Sequence, residues 1–311
     1  MVNSEFLKTM GISSEDISEI LEQDAVYGEK IEPIAQEYWN ELGKNPFTPY
    51  SDEMEKAQAH VRANQYAKEV ATLNPDKNYM LQLLAWLHLI PYLKSRYEEL
   101  GIEESIFVST MKDITYKINE CKMVHGTCGV FVDFFFLNFD VKLFEIGRLQ
   151  YEVNRYPMQL TYSYGDYTFQ LGDPVYSCHI PSSGKLTTEL CMDSFQKAYE
   201  FFKPYLKSDI IPIICFSWLL YKPYAEHVFP AGSNLKKFAD LFDVIAEVNH
   251  GDNFEDAWRV FNQPYTGSTK DLPADNTLRR NFIQYINDGG SFGDGYGIIL
   301  YNGKEKRIIN A

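Results

Sequence analysis

The spacing of apolar residues changes near Gly126, and this change constrains the fold more than any other feature. Before it, apolar residues recur at helical spacing, as in the long segment Lys77 to Leu100. After it, apolar and polar side chains alternate from Leu143 to Val153, which is the spacing of a strand. The sequence therefore predicts an α+β chain, with an all-helical domain over residues 1–126 and a sheet-containing domain over residues 127–311.

The helices of the first domain are bounded by helix breakers and capping residues. Pro75 and Gly101 each end a helical pattern, because proline lacks an N–H group and glycine favours the left-handed turn that follows a helix. The predicted helices begin after Ser13, and the further ones span Lys30 to Leu42, Glu53 to Leu73, Lys77 to Leu100 and Glu103 to Met123. The aromatic run Phe131 to Phe139 is a candidate for one more helix.

The second domain alternates strands with helices. Its predicted strands are Leu143 to Val153, Tyr167 to Leu171, Val175 to Ile180, Ile211 to Leu220, Leu241 to Val248 and Ile298 to Tyr301. A helix with a buried stripe follows Thr187, and a second spans Leu278 to Ile286. The glycine-rich stretch Gly289 to Gly297 follows this second helix, so we expect a helix end and a turn there rather than a phosphate loop.

The charge balance limits the partners. The chain carries 29 Lys and Arg against 43 Asp and Glu, a net charge of −14. Nucleic acids and anionic membranes need a basic surface, so neither is expected as a partner. The N-terminal residues carry charges and lack an apolar run, and the five cysteines include no CxxC pair. We therefore expect a cytoplasmic protein with reduced thiols. The six histidines are dispersed, and no metal site is predicted.

A possible anion cradle lies where the strand ending at Ile180 meets the next helix. The connecting loop contains Ser182, Ser183, Gly184 and Lys185, and free N–H groups at a helix N-terminus attract anions. A P-loop would need glycine at His179 and Ser or Thr at Leu186, and the dinucleotide fingerprint would need more glycines. Neither motif is present, so an ordinary strand-to-helix turn remains the alternative.

The order of these elements and several segments resemble a known family. The order is antiparallel strands, one further strand, a loop, a helix and an apolar strand, which resembles the GNAT acyltransferase core. The segments LFEIGRLQYE, LGDPVYSCHIPSSGKL, SWLL, SNLKKFADLF and DGGSFGDGYGIIL are similar to a bacterial family of acyltransferases. Its members join a helical N-acyltransferase N-terminal domain to a GNAT-like C-terminal domain with a mixed sheet.

The resemblance implies an acyl-coenzyme A site around the loop. In the GNAT fold the pantetheine arm pairs with the strand before the loop, and the pyrophosphate sits on the loop and the helix N-terminus. The implied cofactor-binding residues here are Cys178, Ile180, Ser182, Ser183, Gly184, Lys185 and Leu186. Two positions depart from the usual GNAT loop pattern. Pro181 provides no N–H, and the bulk of Leu186 would crowd a diphosphate.

Acyl transfer to an amine needs a base for the amine and an acid for the leaving thiolate. Strand alternation predicts one polar face with Glu152 and another with His179, and either residue is the candidate base. Ser217, Tyr221 and Tyr224 are candidate acids, with Tyr221 the chosen one. For each of them the alternative is a structural role.

The function implied by the resemblance is transfer of an acyl group from acyl-coenzyme A to a small-molecule or peptide amine. The helical domain would cover the acceptor side or mediate association. A homodimer is therefore one of the hypotheses for its assembly. A catalytically inactive GNAT-like ligand-binding or regulatory module is the alternative, favoured by the altered loop and the acidic surface. A thioesterase built on the same site is a third hypothesis.

Overall fold

The computed structural model of the chain describes residues 2–42, 46–131 and 135–310. The chain divides into two compact units, Met1–Ile146 and Gly147–Ala311. The division after residue 126 stays a prediction. No helix within the described residues is long and apolar enough to cross a bilayer.

The first unit is helical, as predicted. Within the described residues its helices are α1 (Ser4–Thr9), α2 (Ser14–Glu41), α3 (Glu53–Ala71), α4 (Asn78–Glu99), α5 (Glu104–Met111), α6 (Asp113–His125) and α7 (Phe136–Phe139), followed by the strand β1 (Leu143–Ile146). Part of the aromatic run proposed as a helix, residues 132–134, lies outside the described residues.

Two helix predictions in this unit were wrong in their bounds. The segments predicted as separate helices on either side of Lys30 form the single helix α2, which Ser13 caps and which continues through Pro33. The segment predicted as one helix from Glu103 is broken at Lys112 into α5 and α6. Apolar residues keep helical spacing through both regions, so the sequence pattern alone could not show that α2 is continuous and that α5 and α6 are separate.

The second unit is a mixed sheet with one helix packed on one face. Its strands are β2 (Leu149–Arg155), β3 (Tyr162–Tyr164), β4 (Tyr167–Phe169), β5 (Pro174–His179), β6 (Ile211–Ser217), β7 (Asp243–Gly251), β8 (Phe292–Asn302) and β9 (Arg307–Ile308). Its helices are α8 (Thr188–Phe202), α9 (Lys222–His227), α10 (Asn234–Ala239), α11 (Ala257–Phe261) and α12 (Thr277–Asn287). The strand order is β2-β5-β6-β8-β7, with β9 on β8 and the hairpin β3–β4 apart. The pairs are antiparallel except β5 with β6.

The stripe of apolar residues predicted on the helix after Thr187, now α8, is buried; we call it the α8 stripe. Cys191, Phe195, Ala198 and Phe202 are all fully buried. On the facing strands, the Tyr151 hydroxyl lies 2.9 Å from the Ser194 hydroxyl, and the Tyr176 ring packs on Phe202. Burial of these rings stabilises the packing of α8 on the sheet.

The single strand predicted from Leu143 to Val153 is two strands. Gly147 adopts φ +70 in a turn with Arg148, and its Cα faces Ser194, where an added Cβ would lie 3.2 Å from the serine Cβ. The turn occupies two residues, so the alternation of apolar residues continues across it and hides it in the sequence.

The glycine-rich stretch is a strand for most of its length, which corrects the prediction of a turn. Gly289 does end α12, but β8 begins at Phe292. Gly293, Gly295 and Gly297 share one side of β8, and a Cβ on Gly295 would lie 2.2 Å from the carbonyl oxygen of Leu220. The glycines let the turn after β6 approach the sheet closely.

Candidate functional site

β5 and β6 separate from each other at their carboxyl ends. Their parallel register contains two residue pairs, Tyr176 with Ile213 and Ser177 with Ile214. Beyond this point β5 stays paired with β2 through His179, and β6 stays paired with β8 through Ser217. Each strand thus keeps its outer neighbour, and its pairing with the inner one ends after Ser177 and Ile214, where the Cys178 and Cys215 thiols still hydrogen-bond to each other.

The loop from Pro181 to Leu186 carries backbone N–H groups that donate to no atom of the described residues. Among the described residues, none accepts a hydrogen bond from the backbone N–H of Gly184, Lys185 or Leu186. The Ser183 N–H does donate, to the Pro181 carbonyl at 2.8 Å. Unpaired N–H groups in front of a helix N-terminus form a site suited to an anion.

Arg148 holds this loop from the inside. Its guanidinium donates to the carbonyl oxygens of Pro181 at 3.1 Å, Gly184 at 3.0 Å and Lys185 at 2.9 Å. Because these carbonyl groups turn toward Arg148, the N–H groups between them face away from it. Strand alternation puts Arg148 on the same polar face as Glu152 and gives no indication of this role. The sequence signal that could have indicated this role is an arginine directly after the turn residue Gly147.

The Leu186 side chain is buried, and Gly184 adopts φ +108 with open space around its Cα. The bulk of Leu186 is thus turned into the protein interior, and its effect on a bound diphosphate stays a prediction. Pro181 contributes no N–H, as expected from its chemistry.

The N-terminus of α8 is capped by its own side chains. Thr187 accepts a hydrogen bond from the Leu190 N–H at 3.3 Å. The exposed Glu189 carboxylate accepts from its own N–H and from the Thr187 hydroxyl, and these contacts lower its pKa below the ordinary 4.5. A second anion at this helix end would lie beside this negative charge.

Glu152 and His179 lie on one face of the sheet and contact each other. The register pairs Glu152 with Ser177, one diagonal step from His179. The His179 Nε2 lies 2.9 Å from the Glu152 Oε2. The carboxylate is 2% exposed and the imidazole 31%. A buried carboxylate that orients a partly exposed imidazole is the arrangement of a general base and its partner.

Two buried thiols lie where the pairing of β5 with β6 ends. Cys178 and Cys215 lie on the α8 side of the sheet and are buried. A hydrogen bond with the Cys215 thiol and burial both raise the pKa of Cys178 well above its ordinary value. A thiol with a raised pKa is a poor nucleophile, so the Cys178 thiol is not a candidate nucleophile.

The candidate acids lie in a separate group. The Tyr221 hydroxyl contacts Ser291 at 3.0 Å and Asn249 at 3.2 Å. Tyr224 accepts from the Gly293 N–H, and burial raises the pKa of Tyr224. Within the described residues neither tyrosine contacts His179 or Glu152. The role of Tyr221 as an acid stays a prediction.

The cavities lie away from the His179–Glu152 pair. One of about 550 Å³ lies in the first unit, beside Trp39, Tyr92 and Phe139. Another of about 250 Å³ lies in the second unit at the amino ends of β5 and β6, opposite to where they separate. The candidate site is the end of β5–β6 pairing together with the loop from Pro181 to Leu186, because a cofactor that pairs with a strand edge needs a groove rather than a closed cavity. No group of His, Cys, Asp and Glu within the described ranges could hold a metal ion.

Comparison with family models agrees with this architecture. The GNAT-like C-terminal domain matches residues 143–299, and the N-acyltransferase N-terminal domain matches residues 2–136. The first match covers just over half of the 311 residues. The chain therefore belongs to the family that carries a GNAT-like C-terminal domain behind an N-acyltransferase N-terminal domain, and the predicted combination of these two domains is confirmed.

Solved structures share the fold. An acyltransferase in complex with decanoyl-CoA and teicoplanin is 18% identical with a TM-score of 0.69, over 95% of this chain and 86% of that one. An acyltransferase in complex with CoA and 10C-teicoplanin is 17% identical with a TM-score of 0.69, over 94% and 86%. A complex with decanoyl-CoA is 20% identical with a TM-score of 0.65, over 94% and 86%. No curated protein sequence matches the chain.

Proposed function

We propose that the chain is a GNAT-type acyltransferase that moves an acyl group from acyl-coenzyme A to the amine of a small molecule or peptide. The observation that carries this proposal is the loss of β5–β6 pairing directly before a loop with unpaired N–H groups. The pantetheine arm would pair with the free edge of β5 at Cys178 and Ile180. The pyrophosphate would accept hydrogen bonds from Gly184, Lys185 and Leu186, with Ser182 and Ser183 beside it.

His179 would act as the base. Oriented by its hydrogen bond with Glu152, the imidazole would take a proton from the acceptor amine, directly or through one water. The amine nitrogen then attacks the thioester carbonyl, a C–N bond forms and the C–S bond breaks. The coenzyme A thiolate receives the proton from His179. His179 thus takes the proton from the amine and gives it to the thiolate, so Tyr221 is not required as a separate acid.

A thermal-shift titration tests cofactor binding. Acetyl-, decanoyl- and free coenzyme A should raise the melting temperature. Gly184→Val should abolish that shift, because valine strains at φ +108. Gly165→Val is the matched control, since Gly165 also has positive φ and open surroundings but lies in the β3–β4 turn. Absence of any shift with the wild type would reject the proposal.

The inactive binding module remains the second candidate because Glu189 places a carboxylate at the α8 N-terminus. Mass spectrometry of reactions with decanoyl-CoA and an amine panel separates the candidates. Acylated amine supports the transferase, and binding without any product supports the module. Release of free decanoate in the absence of an amine supports the thioesterase.

A further inference from the structure

One side of the sheet in the second unit carries two His–carboxylate pairs. Register relates the positions: Ser177 of β5 pairs with Ile214 of β6, and Phe216 of β6 pairs with Tyr296 of β8. Side chains two residues apart on a strand share a face, so His179 is on the same side as Phe216. We call this side the open face, defined by Glu152, His179, Phe216, Tyr296 and Asp294.

The second pair is His250 with Asp294. The His250 Nε2 lies 2.6 Å from the Asp294 Oδ2, and the imidazole is 36% exposed. Burial raises the pKa of the Asp294 carboxyl above the ordinary 3.8, and its hydrogen bond with His250 opposes that effect. With Nε2 donating to Asp294, Nδ1 is a hydrogen-bond acceptor, and no described residue donates to it.

A stacked aromatic pair, with Phe216 exposed and Tyr296 half-buried, lies between the two His–carboxylate pairs. The rings of Phe216 and Tyr296 stack with centroids 4.2 Å apart at 26°, and Phe216 is 47% exposed. An exposed stacked aromatic on a sheet face offers a platform for another planar ring.

We propose that the open face binds the acceptor, and that this acceptor is an alkylamine that carries an aromatic ring, with a second hydrogen-bond donor at its far end. The inference rests on the proposed function and adds the chemical class of its acceptor. The ring lies on Phe216 and Tyr296, the reactive amine faces His179, and an O–H or N–H group donates to Nδ1 of His250. His250 acts in recognition, oriented by Asp294, and takes no proton in the reaction.

Three amines of similar size test the proposal with decanoyl-CoA as donor. Tyramine has the ring and a far hydroxyl, phenethylamine has only the ring, and 2-cyclohexylethylamine has neither. We expect kcat/KM to fall at each step by about fivefold, the scale of one ring contact or one hydrogen bond. Equal values for the aromatic and the saturated amine would overturn the proposal.

Two variants assign the effect to residues. Phe216→Ala should raise the KM for phenethylamine about fivefold and leave that for 2-cyclohexylethylamine unchanged. His250→Leu should remove the advantage of tyramine over phenethylamine. Val244→Ala, an exposed position opposite Gly297 on the other side of the sheet, should change neither. Unchanged preferences in both open-face variants would contradict the proposal.

A failure of the proposed function can be distinguished from a failure of the acceptor assignment. If no amine is acylated, the proposed function fails, and this inference with it. If all three amines are acylated at equal rates, transfer stands and only the acceptor assignment fails.

Discussion

Glu152 and His179 are the residues on which the proposed chemistry depends. Alternation along two strands predicted that each lies on a polar face, and the register brings the two faces together on one side of the sheet. Their hydrogen bond joins a buried carboxylate to a partly exposed imidazole. Desolvation of the carboxylate strengthens its interaction with an imidazolium that forms during the reaction.

Replacing His179 by Gln should lower kcat by about a hundredfold or more, the scale of general base catalysis. Glutamine is polar and of similar size, so the dissociation constant for decanoyl-CoA should not change. Steady-state kinetics and calorimetry measure the two quantities. A variant with normal kcat would exclude His179 as the base.

Glu152→Gln should lose less activity than His179→Gln, and the double variant should lose no more than His179→Gln alone. Glu152 acts only through the imidazole, so the two effects are not additive. Additive losses in the double-variant cycle would show that Glu152 has a separate role.

At the scale of elements, the sequence predicted what periodicity encodes and missed what depends on tertiary contacts. The α8 stripe and the apolar strand β6 followed from spacing. The contact of Arg148 with three loop carbonyls joins residues more than 30 positions apart, and no local pattern encodes it. The His250–Asp294 pair likewise depends on the register of β7 with β8.

Arg148→Met should weaken decanoyl-CoA binding about tenfold, or ~1.4 kcal/mol, because the loop carbonyls lose their donor. The kcat at saturating decanoyl-CoA should stay near that of the wild type. Arg155→Met is the matched control, since Arg155 donates to the Gly172 carbonyl at the other end of β2. Calorimetry measures the dissociation constants, and equal values for the two variants would contradict the role of Arg148.

The contact between α2 and α6 predicts a dependence of stability on pH. Burial raises the pKa of Asp16, but hydrogen bonds from Lys122 and Ser13 outweigh it, so its pKa lies below the ordinary 3.8. A carboxyl with a lowered folded pKa stabilises the protein above its unfolded pKa, and this contribution is lost as pH falls through the folded pKa.

Between about pH 5 and about pH 3, wild type should therefore lose more unfolding free energy than Lys122→Met. Urea unfolding at several pH values measures the difference. Parallel pH curves for the two proteins would show that the contact does not perturb the Asp16 pKa.

The whole molecule carries a net charge of −14, and coenzyme A is itself an anion. Long-range repulsion between them should slow association, and salt screens that repulsion. We expect the association rate of decanoyl-CoA to rise between about 20 mM and about 200 mM NaCl, measured by stopped flow. Decanoyl-pantetheine lacks the nucleotide phosphates and should show no rise. A rate that falls with salt would indicate that local positive charge dominates at the loop.

The most direct test of the account is an amide NMR titration of the 311-residue chain with coenzyme A. The account predicts that the N–H resonances of Gly184, Lys185 and Leu186 shift on binding, together with those of Cys178 and Ile180, while Gly165 stays unchanged. Saturable binding that leaves all five of these resonances in place would contradict it.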